Sequence, residues 1–476
     1  MSGGMGGKSL LTLDEVLDAT GGVHVLGTGD FCITDVQTDS RNVKSGTLFV
    51  PLLGEKQDGH DYIPQAIEKG AVSVFIAMSS YEKRPDFFTG ISNSNPSVIF
   101  IAVENTMHAL QKAAARYVEH FPDLIRIGVT GSSGKTTAKE ILASILSQKY
   151  SVVTNPGNLN SETGLPLSVF AIREGHKVGL FEMGMNRRNE MAEIASVLKP
   201  RFALVTNIGT AHIGILGSRQ AIAEEKSHVF DYFGGFGTAF IPRDDDFAEF
   251  LADSVDGKVV FYGEGEDEKV SFVKDDGLDG TEFSVEGLSC RIKLPGSYNY
   301  KNALGAVALA KFLGVTASQI QAGLEKMEGA FGRSEVLHGK YTLVQDCYNA
   351  NPDSMEKAIE LLSSLETKEK KVFVLGDMLE LGESSEEAHK KTGSLCAKSS
   401  ADAFYFVGKE MKAAYDMLTS EDSSSNAKYF PESSDENIKL IALDIRNTMP
   451  DSSCVLIKGS RGMRLERLTP LLQEVG

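Results

Sequence analysis

The segment IRIGVTGSSGKTT, residues 125–137, decides how this chain folds. A short β-branched run leads into a glycine-containing turn, and a helix-forming stretch follows. The apolar residues of that stretch recur at helical spacing and predict one buried helix face: Ala138, Ile141, Leu142, Ile145 and Leu146. A strand, a glycine loop and a helix in this order are the context of a phosphate-binding loop. The segment therefore predicts a nucleotide site in an α/β domain.

The glycines of this loop are shifted from their usual places. The common phosphate loop reads G-x-x-x-x-G-K-[ST], which would put a glycine where this chain has Val129. Gly131 and Gly134 still permit a tight turn that aims N–H groups inward, and the following helix adds partial positive charge. Lys135 supplies a charge for the β- and γ-phosphates, and the Thr136 hydroxyl suits Mg²⁺. The predicted ATP-phosphate loop comprises Gly131, Ser132, Ser133, Gly134, Lys135, Thr136 and Thr137.

Length and charge limit the class of protein. The chain has 476 residues, which is typical of about three domains. Its formal net charge of −17 disfavours nucleic acid and anionic membranes as partners, because both bind basic surfaces. The longest wholly apolar run, residues 98–103, is far shorter than the roughly 20 residues that cross a bilayer. With no apolar signal region at the start, we expect a cytoplasmic protein without membrane insertion.

The pattern of apolar runs predicts an α/β protein of three domains. Residues 1–103 combine three β-rich runs with one helical stretch and predict a small α/β domain. Residues 104–329 repeat strand, glycine-bearing turn and helix, which indicates a parallel sheet with helices on both faces. Residues 330–476 contain four apolar runs that close on glycine or polar residues, as buried parallel strands of a Rossmann-like domain do.

Two later strands of the central domain end in groups that suit a metal. Glu182 closes one apolar run, and the next run leads to Asn207, Thr210 and His212. Parallel strands beside the phosphate loop would bring these groups to one edge of the sheet. Mg²⁺ prefers oxygen ligands, so Glu182 is the natural ligand and His212 a less usual one. Taken alone, Glu182 would equally suit a helix cap or a salt bridge, and His212 a hydrogen-bonded loop position.

Two charged segments, taken by themselves, are typical of solvent-exposed surface. Lys226 follows two glutamates in a helical stretch and would indicate a solvated charged face. The acidic run PRDDDF, residues 242–247, could suggest a metal site, but it is more typical of a solvated loop.

Motifs along the whole chain resemble those of the Mur ligase family, the ATP-dependent enzymes that add amino acids to the bacterial peptidoglycan precursor. The first domain carries TDSRNVKSGTLFVPLLGEKQDGHDYI, residues 38–63. The central domain carries NPGNLNSETGLPLS, FEMGMN, TNIGTAHIG and PGSYNYKNALGAVALA beside the phosphate loop. The third domain carries GRSE, QDCYNANPDSM, LGDMLELG and LIKGSRGMRLE. The shifted phosphate loop is also the form that this family uses.

Within the family, the chain resembles the member that joins D-alanyl-D-alanine to UDP-N-acetylmuramoyl-tripeptide. The resemblance implies a first domain for the uridine nucleotide, a central ATPase domain, and a third domain that binds the dipeptide and ATP. It also implies an acyl-phosphate intermediate, ATP with two Mg²⁺ ions, and a monomer. The chain lacks the D-N-P-R motif of the member that adds a diamino acid.

The resemblance assigns roles to residues around ATP. Lys135, Glu182, His212 and Lys226 are implied as catalytic, with Lys226 carbamylated so that it becomes an anionic oxygen ligand. The implied metal ligands are Thr136, Glu182, His212 and Lys226. The other implied ATP contacts are Asn299 and Asn302 on the adenine side, Arg333 at the phosphates, and Asp346 and Tyr348 from the third domain.

The resemblance also assigns the substrate contacts. Ser40, Arg41 and the loop of residues 54–61 are implied for the uridine diphosphate. Asn158, Asn160 and Thr163 are implied for the muramoyl side, although Ser161 stands where the family usually has asparagine. Asn349, Asn351 and the LGDMLELG loop are implied for the dipeptide.

Three other classes of protein stay open on the sequence. A folylpolyglutamate synthase or another amide ligase would share the fold, but those synthases lack the first-domain motif DSRNVKSGTLF. A P-loop kinase or NTPase would have no use for a third domain that contacts the nucleotide. A non-catalytic sugar-nucleotide binding protein would not need the whole set of Lys135, Thr136, Glu182, His212 and Lys226.

Overall fold

The computed structural model describes residues 8–54, 57–327 and 331–473. Three sequence interpretations touch residues outside these ranges. They concern the signal-free start at residues 1–7, residues 55 and 56 of the predicted uridine loop, and the predicted domain junction at 329–330.

The first domain is built on a five-stranded sheet. Its strands are β1 Val23–Leu26, β2 Asp35–Gln37, β3 Thr47–Phe49, β4 Ala71–Ala77 and β5 Ile99–Val103. Its helices are α1 Leu13–Thr20, α2 Ile63–Glu68, α3 Met78–Lys83, α4 Pro85–Ser94 and α5 Thr106–Val118. The strand order is β1-β5-β4-β3-β2, and only the β1–β5 pair is antiparallel. The three predicted β-rich runs are β3, β4 and β5, so this small α/β domain is confirmed.

The central domain contains a six-stranded sheet. Its strands are β6 Ile125–Thr130, β7 Val152–Thr154, β8 Val178–Glu182, β9 Phe202–Val205, β10 Gly237–Pro242 and β11 Gly257–Tyr262. The helices between them are α6 Lys135–Leu146, α7 Gly164–Val169, α8 Glu190–Leu198, α9 Ile213–Leu216, α10 Arg219–Ser227 and α11 Ala248–Asp253. The order β11-β10-β9-β6-β8-β7 is parallel throughout, which confirms the predicted parallel sheet.

The phosphate-loop segment, residues 125–137, lies in the middle of this sheet. It forms β6, the loop and the start of α6, and β6 pairs with β8 on one side and with β9 on the other. The predicted apolar face of α6 is fully buried: Ala138, Ile141, Leu142, Ile145 and Leu146. Its burial fixes the helix on the sheet, because apolar area removed from water contributes about 25 cal/mol per Å².

A small antiparallel sheet follows that the sequence did not predict. It comprises β12 Val270–Asp275, β13 Thr281–Val285 and β14 Leu288–Ile292, and it precedes α12 Ser297–Phe312 and α13 Ala317–Lys326. Strand β13 alternates buried and half-buried residues, and β12 is mostly exposed. Strands with one solvated face lack the continuous apolar run that marks a buried parallel strand.

The third domain has a second six-stranded sheet. Its strands are β15 Glu335–Leu337, β16 Thr342–Asp346, β17 Lys371–Gly376, β18 Ala403–Val407, β19 Ala427–Phe430 and β20 Cys454–Lys458. Its helices are α14 Pro352–Ser364, α15 Ser385–Lys398, α16 Met411–Glu421, α17 Asp435–Thr448 and α18 Leu468–Gln473. The order is β15-β16-β20-β17-β18-β19 with β15 alone antiparallel. The four predicted apolar runs are β16, β17, β18 and β20, which confirms the Rossmann-like prediction.

Helix α5 connects the first two domains. It packs against α1 of the first domain and against α7 and α8 of the central domain. The predicted boundary at residues 103 and 104 therefore falls just before an element shared by two cores, and it stays a prediction. None of the helices described here is long and apolar enough to cross a bilayer.

Candidate active site

A cavity of about 1040 Å³ lies at the carboxyl edge of the central sheet and is closed on its far side by the third domain. Because β6 lies between β8 and β9, the loops that leave these strands meet there. The third domain adds the residues that follow β16 and β20. The predicted residues that line this cavity are Ser132, Ser133, Gly134, Lys135, Thr136, Thr137, Asn158, Asn160, Glu182, His212, Asn299, Asn302, Arg333, Asp346, Tyr348, Asn349 and Asn351.

Close packing explains the shifted glycines. Gly131 has φ +145°, and a Cβ there would lie 2.0 Å from the Thr206 hydroxyl oxygen. Gly134 has φ +78°, and a Cβ there would lie 2.6 Å from the Asn302 side-chain oxygen. Both positions therefore need glycine for space as well as for backbone conformation. Val129 is inside β6 and does not belong to the loop, so no glycine is required at that place.

Gly131→Ala is expected to distort the phosphate loop more than any other part of the domain. The added methyl group must displace Thr206 or the backbone, at a cost of about 1–3 kcal/mol in the free energy of unfolding. We also expect a loss of ADP affinity, because the loop amides move out of position. Urea unfolding and titration calorimetry with ADP measure both effects. Gly90→Ala, in open space on α4, is the matched control, and equal behaviour of the two variants would contradict the expectation.

Lys135 is folded back over the loop. Its Nζ donates a hydrogen bond to the Gly131 carbonyl at 2.8 Å and lies 3.5 Å from the Ser132 carbonyl. Burial lowers the pKa of Lys135, the Glu182 carboxylate opposes this shift, and Arg333 adds to it. The ammonium thus lies over the loop, a place that suits a point charge for phosphate oxygens.

Glu182 is the centre of the candidate metal site. Its carboxylate is 2% exposed and accepts a hydrogen bond from the Thr136 hydroxyl at 2.6 Å and from the Asn160 amide at 2.6 Å. Among the described residues no cation pairs with it directly. A buried carboxylate held only by neutral donors favours a bound cation, since an isolated charge is costly to bury. Glu182, at the end of β8, therefore makes neither a helix cap nor a salt bridge within the described residues, and its role as a metal ligand stays a prediction.

The chemistry of these donors fits Mg²⁺ rather than a soft metal. In the described part of the chain no three His, Cys, Asp or Glu residues converge as a preformed metal cage. Mg²⁺ does not require one, because it keeps several waters and is held through one or two carboxylates and the phosphates of the substrate. Glu182 and the Thr136 hydroxyl supply that minimal set.

Lys226 and His212 lie close to this centre. Lys226 is 1% exposed, and its ammonium makes no hydrogen bond or ion pair within residues 8–54, 57–327 and 331–473. Burial, and then the charge of Lys135, lower the pKa of Lys226, and the Glu225 carboxylate opposes this shift. His212 has φ +65°, and its Nδ1 is buried without a hydrogen bond, 3.4 Å from the Glu380 carboxylate. Burial, and then the charges of Lys135 and Lys226, lower the pKa of His212 to about 3. The imidazole is therefore neutral at pH 7.

The third domain and its linker form the other wall of the cavity. Arg333 lies over the Tyr348 ring, with its guanidinium carbon 4.1 Å from the ring centroid. Asp346 accepts a hydrogen bond from Lys458 Nζ at 2.5 Å. Asn299, on α12, donates to the Pro295 carbonyl and is nearly buried. The predicted ATP contacts of two domains thus face one another across a single space.

Three predicted substrate residues do not line this cavity. Ser40 donates a hydrogen bond to the Gln65 side chain, and Arg41 pairs with Asp39, both within the first domain. Thr163 precedes α7 and is also absent from the cavity wall. Their roles stay predictions. Lys226, similarly, is buried near the cavity and does not form part of its wall.

Several residues of the wall make contacts that the sequence analysis did not predict. Asp245 of the acidic run is half-buried and accepts hydrogen bonds from the N–H groups of Ile208 and Phe247, so it is not the solvated loop residue that the run indicated. Lys458 ends β20, and a lysine closing an apolar run is the same signal that marked Glu182. Asp353 contacts the central domain from α14, and no sequence signal points to that contact.

Comparison with known proteins agrees with this architecture. Residues 32–118 match the Mur ligase family catalytic domain, residues 129–310 the Mur ligase middle domain, and residues 332–461 the Mur ligase glutamate ligase domain. The three matches follow the three domains in order along the chain.

Relatives and solved structures match over nearly the whole length. The UDP-N-acetylmuramoyl-tripeptide–D-alanyl-D-alanine ligase of Treponema pallidum is 42% identical over 466 residues, which cover 98% of this chain and 99% of that protein. A crystal structure of MurF from Acinetobacter baumannii superposes with a TM-score of 0.84 at 30% identity, covering 98% and 99% of the two chains. The MurF ligase from Thermotoga maritima, solved in complex with ADP, has a TM-score of 0.76 at 26% identity, covering 92% and 97%. With its motifs, its three domains and these full-length relatives, the chain belongs to the Mur ligase family.

Proposed function

We propose that this protein joins D-alanyl-D-alanine to UDP-N-acetylmuramoyl-tripeptide at the expense of ATP, which makes the UDP-N-acetylmuramoyl-pentapeptide precursor of peptidoglycan. The observation that carries the proposal is a single cavity in which the phosphate loop of the central domain faces Arg333, Asp346 and Tyr348. Full-length similarity to relatives of that name supports the choice of substrates. The protein is an ATP-dependent amide ligase that acts in the cytoplasm as a monomer.

The two-domain cavity argues against the alternative functions. A P-loop kinase or NTPase would have no use for a third domain at the nucleotide, whereas here Asn349 and Asn351 of that domain line a second polar wall. A binding protein would not need a buried carboxylate next to a phosphate-loop lysine. A folylpolyglutamate synthase has no counterpart of the first domain motif at residues 38–63.

The first step activates a carboxylate. The terminal carboxylate of the tripeptide attacks the γ-phosphorus of ATP, the bond to the β,γ-bridging oxygen breaks, and ADP leaves. A carboxylate is a poor acyl donor, and phosphorylation turns one of its oxygens into a good leaving group. Lys135 and the loop amides hold the γ-phosphate while two anions approach, and Arg333 adds positive charge from the other wall.

The second step forms the amide. The free amine of D-alanyl-D-alanine attacks the acyl carbon, a tetrahedral intermediate forms, and phosphate leaves as the amine loses its proton. The third domain aligns the amine with the acyl phosphate, and orientation of this kind can contribute several kcal/mol to the barrier. By covering the central domain it also excludes water, which would otherwise hydrolyse the acyl phosphate.

We further infer that the site takes Mg²⁺ and that Lys226 is carbamylated. Glu182 and Thr136 would hold a first ion, and His212 with the Lys226 carbamate would hold a second. Bound Mg²⁺ supplies neutralising charge for the phosphate oxygens. The support for the carbamate is chemical: a buried ammonium with no hydrogen bond or ion pair in the described part of the chain is costly, whereas a carbamate beside metal ions would be compensated.

A reconstitution assay tests the proposal. Purified protein is incubated with ATP, Mg²⁺, UDP-N-acetylmuramoyl-tripeptide and D-alanyl-D-alanine, and products are followed by chromatography and phosphate release. We expect pentapeptide and phosphate only when both substrates are present, and we expect a metal chelator to stop the reaction until Mg²⁺ is restored. Phosphate release that ignores the dipeptide would identify an NTPase instead.

A further inference from the structure

Three successive backbone amides of the segment after β9 are each held by a different part of the protein. Ile208 N–H donates to Asp245, Gly209 N–H to the Ser132 hydroxyl, and Thr210 N–H to Asp353. Asp245 belongs to the central domain, Ser132 to the phosphate loop, and Asp353 to the third domain. This segment, residues 206–212, ends at His212 and will be called the sensor segment.

The sensor segment is also tied to the phosphate loop by side chains. Asn207 accepts a hydrogen bond from Ser133 N–H at 3.1 Å and donates one to the Ser133 carbonyl at 3.0 Å. The Thr206 hydroxyl donates to the Ser133 carbonyl at 2.6 Å. A shift of the segment would therefore move the phosphate loop at one end and His212 at the other.

Asp353 binds the sensor segment of the central domain from the third domain. It lies in the first turn of α14, where the helix dipole stabilises a negative charge. Its Oδ2 accepts hydrogen bonds from Thr210 N–H at 2.7 Å and from the Thr210 hydroxyl at 2.9 Å. The approach is close: a Cβ on Gly209 would lie 2.3 Å from this oxygen.

We propose that Asp353 is a positioning residue that makes the sensor segment adopt its active arrangement only when the third domain is docked. Without docking, the Thr210 N–H and hydroxyl exchange the Asp353 carboxylate for water, which satisfies both groups but does not fix the position of the segment. His212 and the phosphate loop then lose one of the supports of their common segment. Phosphoryl transfer therefore depends on docking of the third domain, and the docked domain excludes water before the acyl phosphate forms.

The kinetic consequence of this proposal rests on the proposed ligase function, whereas the contact between Asp353 and Thr210 does not depend on that function. Four variants of the full-length protein test it: Asp353→Ala, Asp353→Asn, Thr210→Val and the double variant Asp353→Ala with Thr210→Val. Glu366→Ala is the matched control, because Glu366 is an exposed carboxylate just beyond the same helix with no hydrogen-bond or ion-pair partner in the described residues. Asp353→Asn keeps the size and shape of the side chain, so it still tests the proposal if the alanine variant does not fold.

We expect the loss of the Asp353 contact to lower kcat and to leave the KM for ATP nearly unchanged. Asp353→Ala lowers kcat by about 10- to 100-fold, as small misplacements of catalytic groups do, while KM for ATP changes by less than about 3-fold. Asp353→Asn loses less, because its amide oxygen can still accept one bond. Thr210→Val lowers kcat in the parent protein and adds nothing in the Asp353→Ala background, since the shared partner is gone.

Hydrogen exchange provides a measurement that needs no activity. With ADP and Mg²⁺ bound, peptides that cover the sensor segment exchange faster in Asp353→Ala than in Glu366→Ala, while peptides of β6 and β8 are unchanged. Unchanged exchange in the sensor segment, additive effects of the two substitutions, or a kcat equal to that of the control would each overturn the inference. If the parent protein makes no pentapeptide, the proposed function fails, and the exchange result alone still decides the role of Asp353.

Discussion

Lys226→Ala is expected to lower kcat of the ligase by about 100-fold or more, the largest loss for any single residue outside the phosphate loop. In the parent protein a carbamate on Lys226 would supply an anionic oxygen beside Glu182 and His212. Alanine supplies no oxygen and leaves a cavity in a fully buried position. Steady-state kinetics at saturating ATP and Mg²⁺ measure the loss.

Lys226→Glu separates the carbamate from a merely structural lysine. Glutamate carries an anionic oxygen at nearly the same reach, so we expect it to restore part of the rate that alanine loses. A lysine needed for packing or for positive charge would not be replaced by glutamate. Lys112→Ala, an exposed position on α5, is the control for loss of a lysine from a helix.

Isotopically labelled bicarbonate provides an independent readout. We expect a carbamate carbon signal in the nuclear magnetic resonance spectrum of the parent protein and of Lys112→Ala, and none in Lys226→Ala. Full activity of Lys226→Ala would show that the carbamate has no role.

Lys135→Ala is expected to have the largest effect of all, a loss of about 1,000-fold in kcat. Its ammonium lies over the phosphate loop, where the γ-phosphate must be held. Charge on the equatorial phosphate oxygens is stabilised in the transition state by such a group, so the loss falls mainly on kcat. ADP, which lacks the γ-phosphate, should bind only modestly more weakly.

Two comparisons test this explanation. Lys135→Arg should not restore the rate, because a planar guanidinium does not replace a compact ammonium that is held by the Gly131 carbonyl. Lys177→Ala removes an exposed lysine at the opposite edge of the same sheet and should leave kcat unchanged. A Lys135→Ala protein with more than about a tenth of the parental kcat would contradict the assignment of this lysine to the γ-phosphate.

Much of the central site could be predicted because parallel strands impose a simple geometry. The sequence marks the ends of β6, β8 and β9 by glycine, by a carboxylate and by a polar run. Once these strands are known to be parallel neighbours, their carboxyl ends must share one edge. Glu182, Thr136 and His212 could therefore be placed near Lys135 before any coordinates were known. The role of Lys226 came from family resemblance, since its local pattern indicates a solvated helix face.

The contacts between domains could not be predicted. Asp353 is an ordinary first-turn acid by its sequence, and Thr210 an ordinary loop threonine. Their partnership depends on how two separately folded domains dock, and 143 residues separate them along the chain. Neither periodicity nor a local motif encodes such a pairing.

The amino-acid sequence by itself determined the three α/β domains, the phosphate loop and the neighbouring carboxylate, because strand propensity, helical spacing and glycine requirements are local properties. The tertiary structure alone decided that Lys226 is buried with no hydrogen bond or ion pair among the described residues, that Asp245 and Asp353 hold the amides of Ile208 and Thr210, and that two domains close one cavity. Those features depend on distances between segments remote in sequence, and such distances follow only from the packing of whole domains.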